Sequence, residues 1–136
     1  MVLDNNIFFS LMKPDSTNSY LFSALRAEFV APEYIVSELN RHKSECLLKS
    51  KLSGHEFELR QAEVEGRITF FKSSAYKGFL KQASNALRDR KDSPYVAVAL
   101  ATESEIWSND PHLKQQSLVE VHTTRELIDK LLKDEV

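Results

Sequence analysis

Five short runs of apolar, β-branched and aromatic residues recur along the chain, and stretches of helical period separate them. Each run is too short for a helix and has the composition of a strand. Because strands that alternate with helices pair in parallel, this order predicts a three-layer α/β/α sandwich around a parallel sheet of about five strands. The runs are Val2-Leu3, Phe29-Val30-Ala31, Ile68-Thr69-Phe70-Phe71, Ile106-Trp107 and Val119-Glu120-Val121.

Capping signals predict where several helices begin. Residues 53–56 and 123–126 have the form of a capping box, with Ser or Thr three residues before Glu. Pro32 and Pro94 stand where the first turn of a helix accepts proline, and Ser93 is the expected cap before Pro94. The helix that begins at Pro94 is almost wholly apolar as far as residue 102, so we expect it to be buried on most sides.

The composition is that of one globular domain, which we expect to span residues 1–136. With 136 residues and 42% hydrophobic content, the chain can form a core without metal or disulfide staples. The single cysteine, Cys46, excludes an internal disulfide and a cysteine-rich zinc site. Stretches without a charged residue, such as 93–102, reach about half a membrane span, and the chain does not open with a signal-type segment. We therefore expect a cytoplasmic protein without a membrane partner.

Positive charge is concentrated in residues 67–91, although the whole chain has a net charge of −2 from 18 basic and 20 acidic residues. A helix is expected from Tyr76 to Leu87, with Lys77, Lys81 and Arg88 on one face. Such a strip either attracts phosphate groups or is simply a solvated helix face. The seven cations of the segment, which stand against the one anion Asp89, are Arg67, Lys72, Lys77, Lys81, Arg88, Arg90 and Lys91.

Four acidic residues stand out by their positions. Asp4 ends the first predicted strand, and Asp110 follows the fourth. Ligands bind beyond the carboxyl ends of parallel strands at the switch point of an open sheet, so both carboxylates are well placed if their strands are neighbours. Asp92 precedes the apolar helix, and Glu38 lies on the helix expected to begin near Pro32.

Each acid also has a purely structural interpretation. Asp4 could end a strand, Asp92 could cap a helix, Asp110 could form a turn, and Glu38 could lie on a solvated helix face. If the four carboxylates converge, their mutual repulsion is most simply relieved by a divalent cation. All-oxygen ligation suits Mg²⁺ or Mn²⁺ rather than zinc.

Other chemistries have little support in the sequence. His42, His55, His112 and His122 show no HExxH spacing and no close pair, which argues against a zinc hydrolase. Cys46 lies within a predicted helix without a base nearby in sequence, and we interpret it as a core residue. Neither a GxGxxG motif nor a P-loop occurs, so a nucleotide cofactor is not expected.

Five segments that contain or flank the acids occur in an order known from one family. They are VLDNNIFFSLMKP (2–14), APEYIVSEL (31–39), RDRKDSPYVAVALA (88–101), IWSNDPHL (106–113) and VHTTRELI (121–128). This order resembles that of PIN-domain proteins over essentially the whole chain. The similarity is greatest to the small single-domain prokaryotic members, which include VapC-type toxins.

The resemblance implies an α/β/α nuclease fold with its metal site at the carboxyl edge of the sheet. Asp4, Asp92 and Asp110 would hold one or two Mg²⁺ or Mn²⁺ ions, and Glu38 would bind a second ion or orient a water. Asn6 and Ser108 would be supporting polar residues. Two neighbouring positions depart from the family pattern, because Asn5 replaces a common Thr or Ser and His112 replaces a common acid.

RNA is the substrate that the resemblance implies, as a single strand or a structured loop. The basic residues expected to guide its phosphates are Lys77, Lys81, Arg88, Arg90 and Lys91. An antitoxin protein and a second copy of the chain, forming a homodimer, are the expected protein partners. Phe8, Phe9 and Tyr20 are candidates for the dimer interface, although core burial explains them equally well.

Two alternatives to a metal-dependent ribonuclease stay open. One is a PIN-like fold that binds RNA or a protein without cutting. Such a protein would have no reason to keep four uncompensated carboxylates together, yet Asn5 and His112 depart from the family pattern next to them. A metal-independent ribonuclease would use histidines as general acid and base. It predicts that EDTA leaves the activity intact and that His112→Ala abolishes it.

Overall fold

The computed structural model describes residues 1–133, which form five strands and ten α-helices. The predicted domain end at residue 136 lies outside these residues. In chain order the elements are β1 (Val2–Leu3), α1 (Asn5–Ser10), α2 (Thr17–Ala24), β2 (Phe29–Pro32), α3 (Tyr34–Arg41), α4 (Lys43–Ser50), α5 (Gly54–Glu65), β3 (Ile68–Phe71), α6 (Ser73–Tyr76), α7 (Leu80–Ala86), α8 (Ser93–Thr102), β4 (Ile106–Trp107), α9 (Pro111–Lys114), β5 (Val121–His122) and α10 (Thr124–Leu132).

The strands form one sheet in the order β3-β2-β1-β4-β5, and every neighbouring pair is parallel. The chain first adds strands on one side of β1 and then returns to place β4 on the other side, where Leu3 pairs with Trp107. The switch point of the sheet therefore lies between β1 and β4. The predicted parallel five-stranded sheet is confirmed.

Helices cover both faces of the sheet, as right-handed crossovers require. On one face Phe22 of α2 packs against Phe29 of β2, with ring centroids 4.6 Å apart. On the other face α8 contacts β1, β2 and β4, and its residues 95–99 are almost fully buried. The apolar composition of α8 follows from this central position. Within residues 1–133, no helix combines the length and the hydropathy needed to cross a lipid bilayer.

The last strand differs from its prediction, because β5 is Val121–His122 rather than residues 119–121. The buried amide of Gln116 explains the shift. Its Oε1 accepts hydrogen bonds from Leu118 N (2.9 Å) and Val119 N (3.1 Å), and its Nε2 donates to Val119 O (2.8 Å). Both backbone groups of Val119 are thus occupied by a side chain and do not join the sheet.

The prediction of one continuous helix from Tyr76 to Leu87 is also wrong. A 3₁₀ turn at Lys77–Phe79, with Gly78 at its centre, separates α6 from α7. Glycine disfavours the interior of an α-helix by about 1 kcal/mol, which suits it to such an interruption. Leu87 is extended and ends α7, so Arg88 does not share a helical face with Lys77 and Lys81.

The prediction of helix starts holds for three of the five signals. Both capping boxes form, at Ser53 and at Thr123, and Pro94 lies in the first turn of α8. Pro32 instead ends β2, and α3 begins two residues later. Ser93 is the first residue of α8 rather than its cap, and its buried hydroxyl has no hydrogen-bond partner.

Candidate functional site

Asp4 and Ser108 meet where β1 and β4 end side by side. Asp4 is 2% exposed and caps α1, because its Oδ1 accepts a hydrogen bond from Ile7 N at 2.9 Å. Its Oδ2 accepts a hydrogen bond from the buried Ser108 hydroxyl. The Ser108 Oγ in turn accepts one from Asp110 N at 3.0 Å. A single hydroxyl therefore fixes the Asp4 carboxylate relative to the segment that carries Asp110.

The segment that carries Asp110 is also anchored to the helices beside it. Asn109 Oδ1 accepts a hydrogen bond from Thr124 N (2.8 Å), and Asn109 Nδ2 donates one to Thr124 Oγ1 (2.9 Å). The same hydroxyl accepts from Trp107 Nε1 (3.1 Å) and donates to Asn18 Oδ1 (2.8 Å). The turn after β4 is thereby tied to α10 and α2.

A cavity of about 210 Å³ opens at this edge of the sheet, and its wall holds three of the four predicted acids. Asp4 is not in the wall, but its charge acts on Asp92 and on Tyr95. Asp4 therefore shares one electrostatic environment with the acids of the wall. The cavity is lined by Asn5, Asn6, Tyr34, Glu38, Asp89, Lys91, Asp92, Tyr95 and Asp110.

Two of these carboxylates are held in surroundings that disfavour their charge. Burial raises the pKa of Asp4 from 3.8 to about 6, against the opposing effect of its hydrogen bonds from Ser108 and Ile7. Burial also raises the pKa of Asp92 from 3.8 to about 6, and the nearby charges of Asp110 and Asp89 add to the effect. Shifts of this kind, clustered in a cleft, are typical of functional sites.

Glu38 differs from the other acids because it has a cation beside it. It is 8% exposed, and Arg41 NH1 donates a hydrogen bond to its Oε1 at 3.0 Å. Hydrogen bonding with Glu38 raises the pKa of the Tyr34 hydroxyl to about 12. His42 Nε2 lies 4.0 Å from Glu38 Oε2. Arg41 and Tyr34 therefore contact this carboxylate from the turns of α3 that follow and precede it.

The remaining predicted residues divide between the cavity and the open surface. Asn6 and Lys91 line the cavity, whereas Lys77, Lys81, Arg88 and Arg90 are exposed residues outside its wall. His112 lies beside Asp110, with its backbone N donating to Asp110 Oδ1 at 2.9 Å.

Sequence reasoning missed four residues of the cavity wall. Asn5 was noted only as a departure from a pattern, and Asp89 only as the anion among the cations. Tyr34 stands four residues before Glu38 on the same helix, so helical spacing was a usable signal for it. Tyr95 stands three residues after Asp92 and was read only as part of an apolar helix.

A second and larger cavity of about 520 Å³ adjoins the first, because Asn5 and Asn6 line both. It lies along α1 and α4. Phe9 and His42 form part of its wall, with ring centroids 5.7 Å apart, and two lysines contribute positive charge. The wall consists of Asn5, Asn6, Phe9, Ser10, Lys13, Ser16, His42, Glu45, Cys46, Lys49 and Ser50.

Another group of metal-ligand type lies at the opposite edge of the sheet. Glu105 and Glu120 each precede a strand, and with His122 they offer ligand atoms within 4.8 Å of one another. His122 Nε2 lies 2.8 Å from Glu105 Oε2, and Lys130 Nζ lies 3.3 Å from His122 Nδ1. These contacts join β4, β5 and α10. Among the described residues, no three of the four predicted acids bring ligand oxygens equally close together.

One of two comparisons with known proteins found a match. No curated protein matches the chain. The family model of the PIN domain matches residues 2–131, a range that includes every strand and all four acids. This chain therefore belongs to the PIN-domain family.

Proposed function

We propose that this protein is an Mg²⁺- or Mn²⁺-dependent endoribonuclease, which hydrolyses RNA phosphodiester bonds at the cavity beside Asp4, Glu38, Asp92 and Asp110. Its fold is of the nuclease type, and PIN nucleases typically use divalent metals. The observation that carries the proposal is a cavity at the switch point of the sheet, whose wall holds three of these acids near the fourth. Burial there already disfavours the charge of Asp4 and Asp92.

The donor set fits a hard divalent cation. Asp4, Asp92 and Asp110 offer carboxylate oxygens, and Arg41 pairs only with Glu38 among these acids. The three aspartates would hold the ion directly, with Glu38 as a further ligand or as a base for water. Bound there, Mg²⁺ or Mn²⁺ would lower the pKa of a water nucleophile and offset the charge that builds on the phosphate oxygens.

The chain's own residues supply orientation and substrate contacts. Ser108 holds the Asp4 carboxylate toward the end of β4, and Arg41 and Tyr34 fix Glu38. Lys91 lines the cavity and is placed to contact a phosphate, while Lys77, Lys81, Arg88 and Arg90 would attract the strand at longer range. RNA rather than DNA follows from the family alone, because this chemistry does not use the 2′-hydroxyl.

Two protein partners belong to the proposal as well. An antitoxin protein and a second copy of the chain are the proposed partners, on the resemblance to VapC-type members alone. Of the three residues considered for a dimer interface, Phe8 is fully buried and serves the core, whereas Tyr20 is 67% exposed and available for contact.

The test is cleavage of a mixed single-stranded RNA by wild type and Asp92→Asn, each with Mn²⁺, Mg²⁺ or EDTA. Asp15→Asn is a matched control, because Asp15 is an exposed surface acid. We expect metal-dependent cutting by wild type and the control, and a loss of at least about a hundredfold in Asp92→Asn.

Two results would redirect the proposal. A folded protein that binds RNA but never cuts it would favour a non-catalytic binding module. Cutting that persists in EDTA and disappears in His112→Ala would favour a metal-independent ribonuclease.

A further inference from the structure

The hydroxyl of Tyr95 is buried without a hydrogen-bond partner in the wall of the acid cavity. Tyr95 is 1% exposed, and its Oη has no partner in the protein. Buried hydroxyls are almost always hydrogen-bonded, because an unpaired one gives up its water contacts without replacement. The hydroxyl is therefore a donor for which the protein supplies no acceptor at this position.

Packing alone does not account for a tyrosine here. The four residues that follow Tyr95 in α8 are fully buried and apolar: Val96, Ala97, Val98 and Ala99. Phenylalanine would fill the same volume and leave no polar atom unpaired. The Tyr34 ring lies 6.5 Å away, centroid to centroid, at a tilted angle, an arrangement that needs no hydroxyl.

The surroundings of the hydroxyl are acidic. Burial, followed by the charges of Asp4, Glu38 and Asp92 and by Tyr34, raises the pKa of Tyr95. Tyr95 therefore keeps its proton and is a hydrogen-bond donor at neutral pH. Among the described residues, no three of the four predicted acids bring ligand oxygens within 4.8 Å of one another.

We propose that Tyr95 is a positioning residue for the divalent cation of the acid cavity, with its hydroxyl donating to one of the carboxylates Asp4, Glu38 or Asp92 when they draw together around the ion. The inference rests on the proposed function. Binding a cation removes the repulsion between the carboxylates, so they approach one another. A carboxylate that moves inward brings an acceptor oxygen toward the waiting donor. Hydrogen bonds of this kind orient metal ligands and strengthen their hold on the ion.

The test compares Tyr95→Phe with wild type in two measurements that do not depend on catalysis. Calorimetric titration with Mn²⁺ alone gives the dissociation constant, which we expect to rise roughly tenfold in Tyr95→Phe. Thermal unfolding in EDTA is expected to show a midpoint equal to or above that of wild type, because the orphaned donor is gone. Tyr76→Phe is the matched control, since Tyr76 is a buried tyrosine outside the cavity wall.

Each outcome decides a different question. An unchanged Mn²⁺ dissociation constant in Tyr95→Phe, with wild type binding normally, overturns the role of Tyr95 and leaves the proposed function standing. A lower unfolding midpoint in EDTA with an unchanged dissociation constant assigns the hydroxyl to folding instead and also overturns it. If wild type itself binds no Mn²⁺, the proposed function fails, and the role of Tyr95 fails with it.

Discussion

The negative charge of Asp92 destabilises the metal-free protein, so removing that charge has a predictable effect on stability. The residue is half-buried at the start of α8, and its side chain makes no capping hydrogen bond. Burial and the charges of Asp110, Asp89 and Asp4 raise its pKa to about 6. Asparagine has the same shape without the charge. We expect Asp92→Asn to stabilise the metal-free protein at pH 7.5.

The size of the effect follows from the pKa. A rise from 3.8 to about 6 corresponds to about 3 kcal/mol if the group is fully shielded from water. Because Asp92 is only partly buried, solvent screening reduces this to about 1 kcal/mol. For a chain of this length, 1 kcal/mol raises the unfolding midpoint by about 4 °C.

The effect also has a definite dependence on pH. The folded-state pKa of Asp92 lies above its unfolded value, so charge on Asp92 destabilises the protein above pH 6. As the pH falls from 6 toward 4 the folded state takes up the proton first, and wild type recovers stability. The advantage of Asp92→Asn is expected to shrink to about half at pH 5 and to vanish below pH 3.8.

Urea unfolding in EDTA at pH 7.5 and pH 5 measures both quantities, with Asp15→Asn as the surface control. Adding Mn²⁺ at pH 7.5 is expected to reverse the order, because the ion stabilises wild type by mass action and has lost a ligand in the variant. The reasoning is refuted if metal-free Asp92→Asn is no more stable than wild type at pH 7.5, or if its advantage is the same at pH 5.

Two further substitutions test the supports of the site. Ser108→Ala removes the hydrogen bond to the Asp4 carboxylate and is expected to destabilise the protein by about 2 kcal/mol at pH 7.5. The loss is expected to be smaller at pH 5, because Asp4 is largely protonated there. Equal losses of stability in urea at both pH values would contradict this. Thr124→Val leaves the indole N–H of the buried Trp107 without its acceptor and is expected to cost about 2 kcal/mol in urea unfolding. Thr102→Val controls for the substitution, because it loses only short-range hydrogen bonds, to Val98 O and to the Ser104 hydroxyl. A similar cost in both variants would count against the network.

The sheet could be predicted from sequence because its strands have a strong local signature. Pairs as short as Val2-Leu3 and Ile106-Trp107 were recognisable from their apolar residues and flanking turns. The last strand was misplaced because an apolar run carries no information about Gln116, whose amide occupies the backbone of Val119. A competing side chain of this kind appears only in three dimensions.

The site was predictable to the extent that strand ends determine it. Asp4 and Asp110 follow neighbouring strands, so topology alone brings them to one edge. The residues that contact these acids were harder to predict from sequence. Arg41 and Tyr34, for example, contact Glu38 through their side chains on α3. Tyr95 was hidden for another reason: in a sequence, one hydroxyl within an apolar helix looks like an ordinary core aromatic residue.

The hydrogen bond between Ser108 and Asp4 joins residues that are 104 positions apart in the chain, and this has a consequence for synthesis. During translation, Asp4 and Glu38 leave the ribosome long before Asp92 and Asp110. Until β4 has been made, β1 lacks the neighbour that closes this edge of the sheet, and contacts of such long range form late in folding. A growing chain therefore carries only part of the acid cavity, so any chemistry that needs all four carboxylates can begin only when synthesis of the chain is nearly complete.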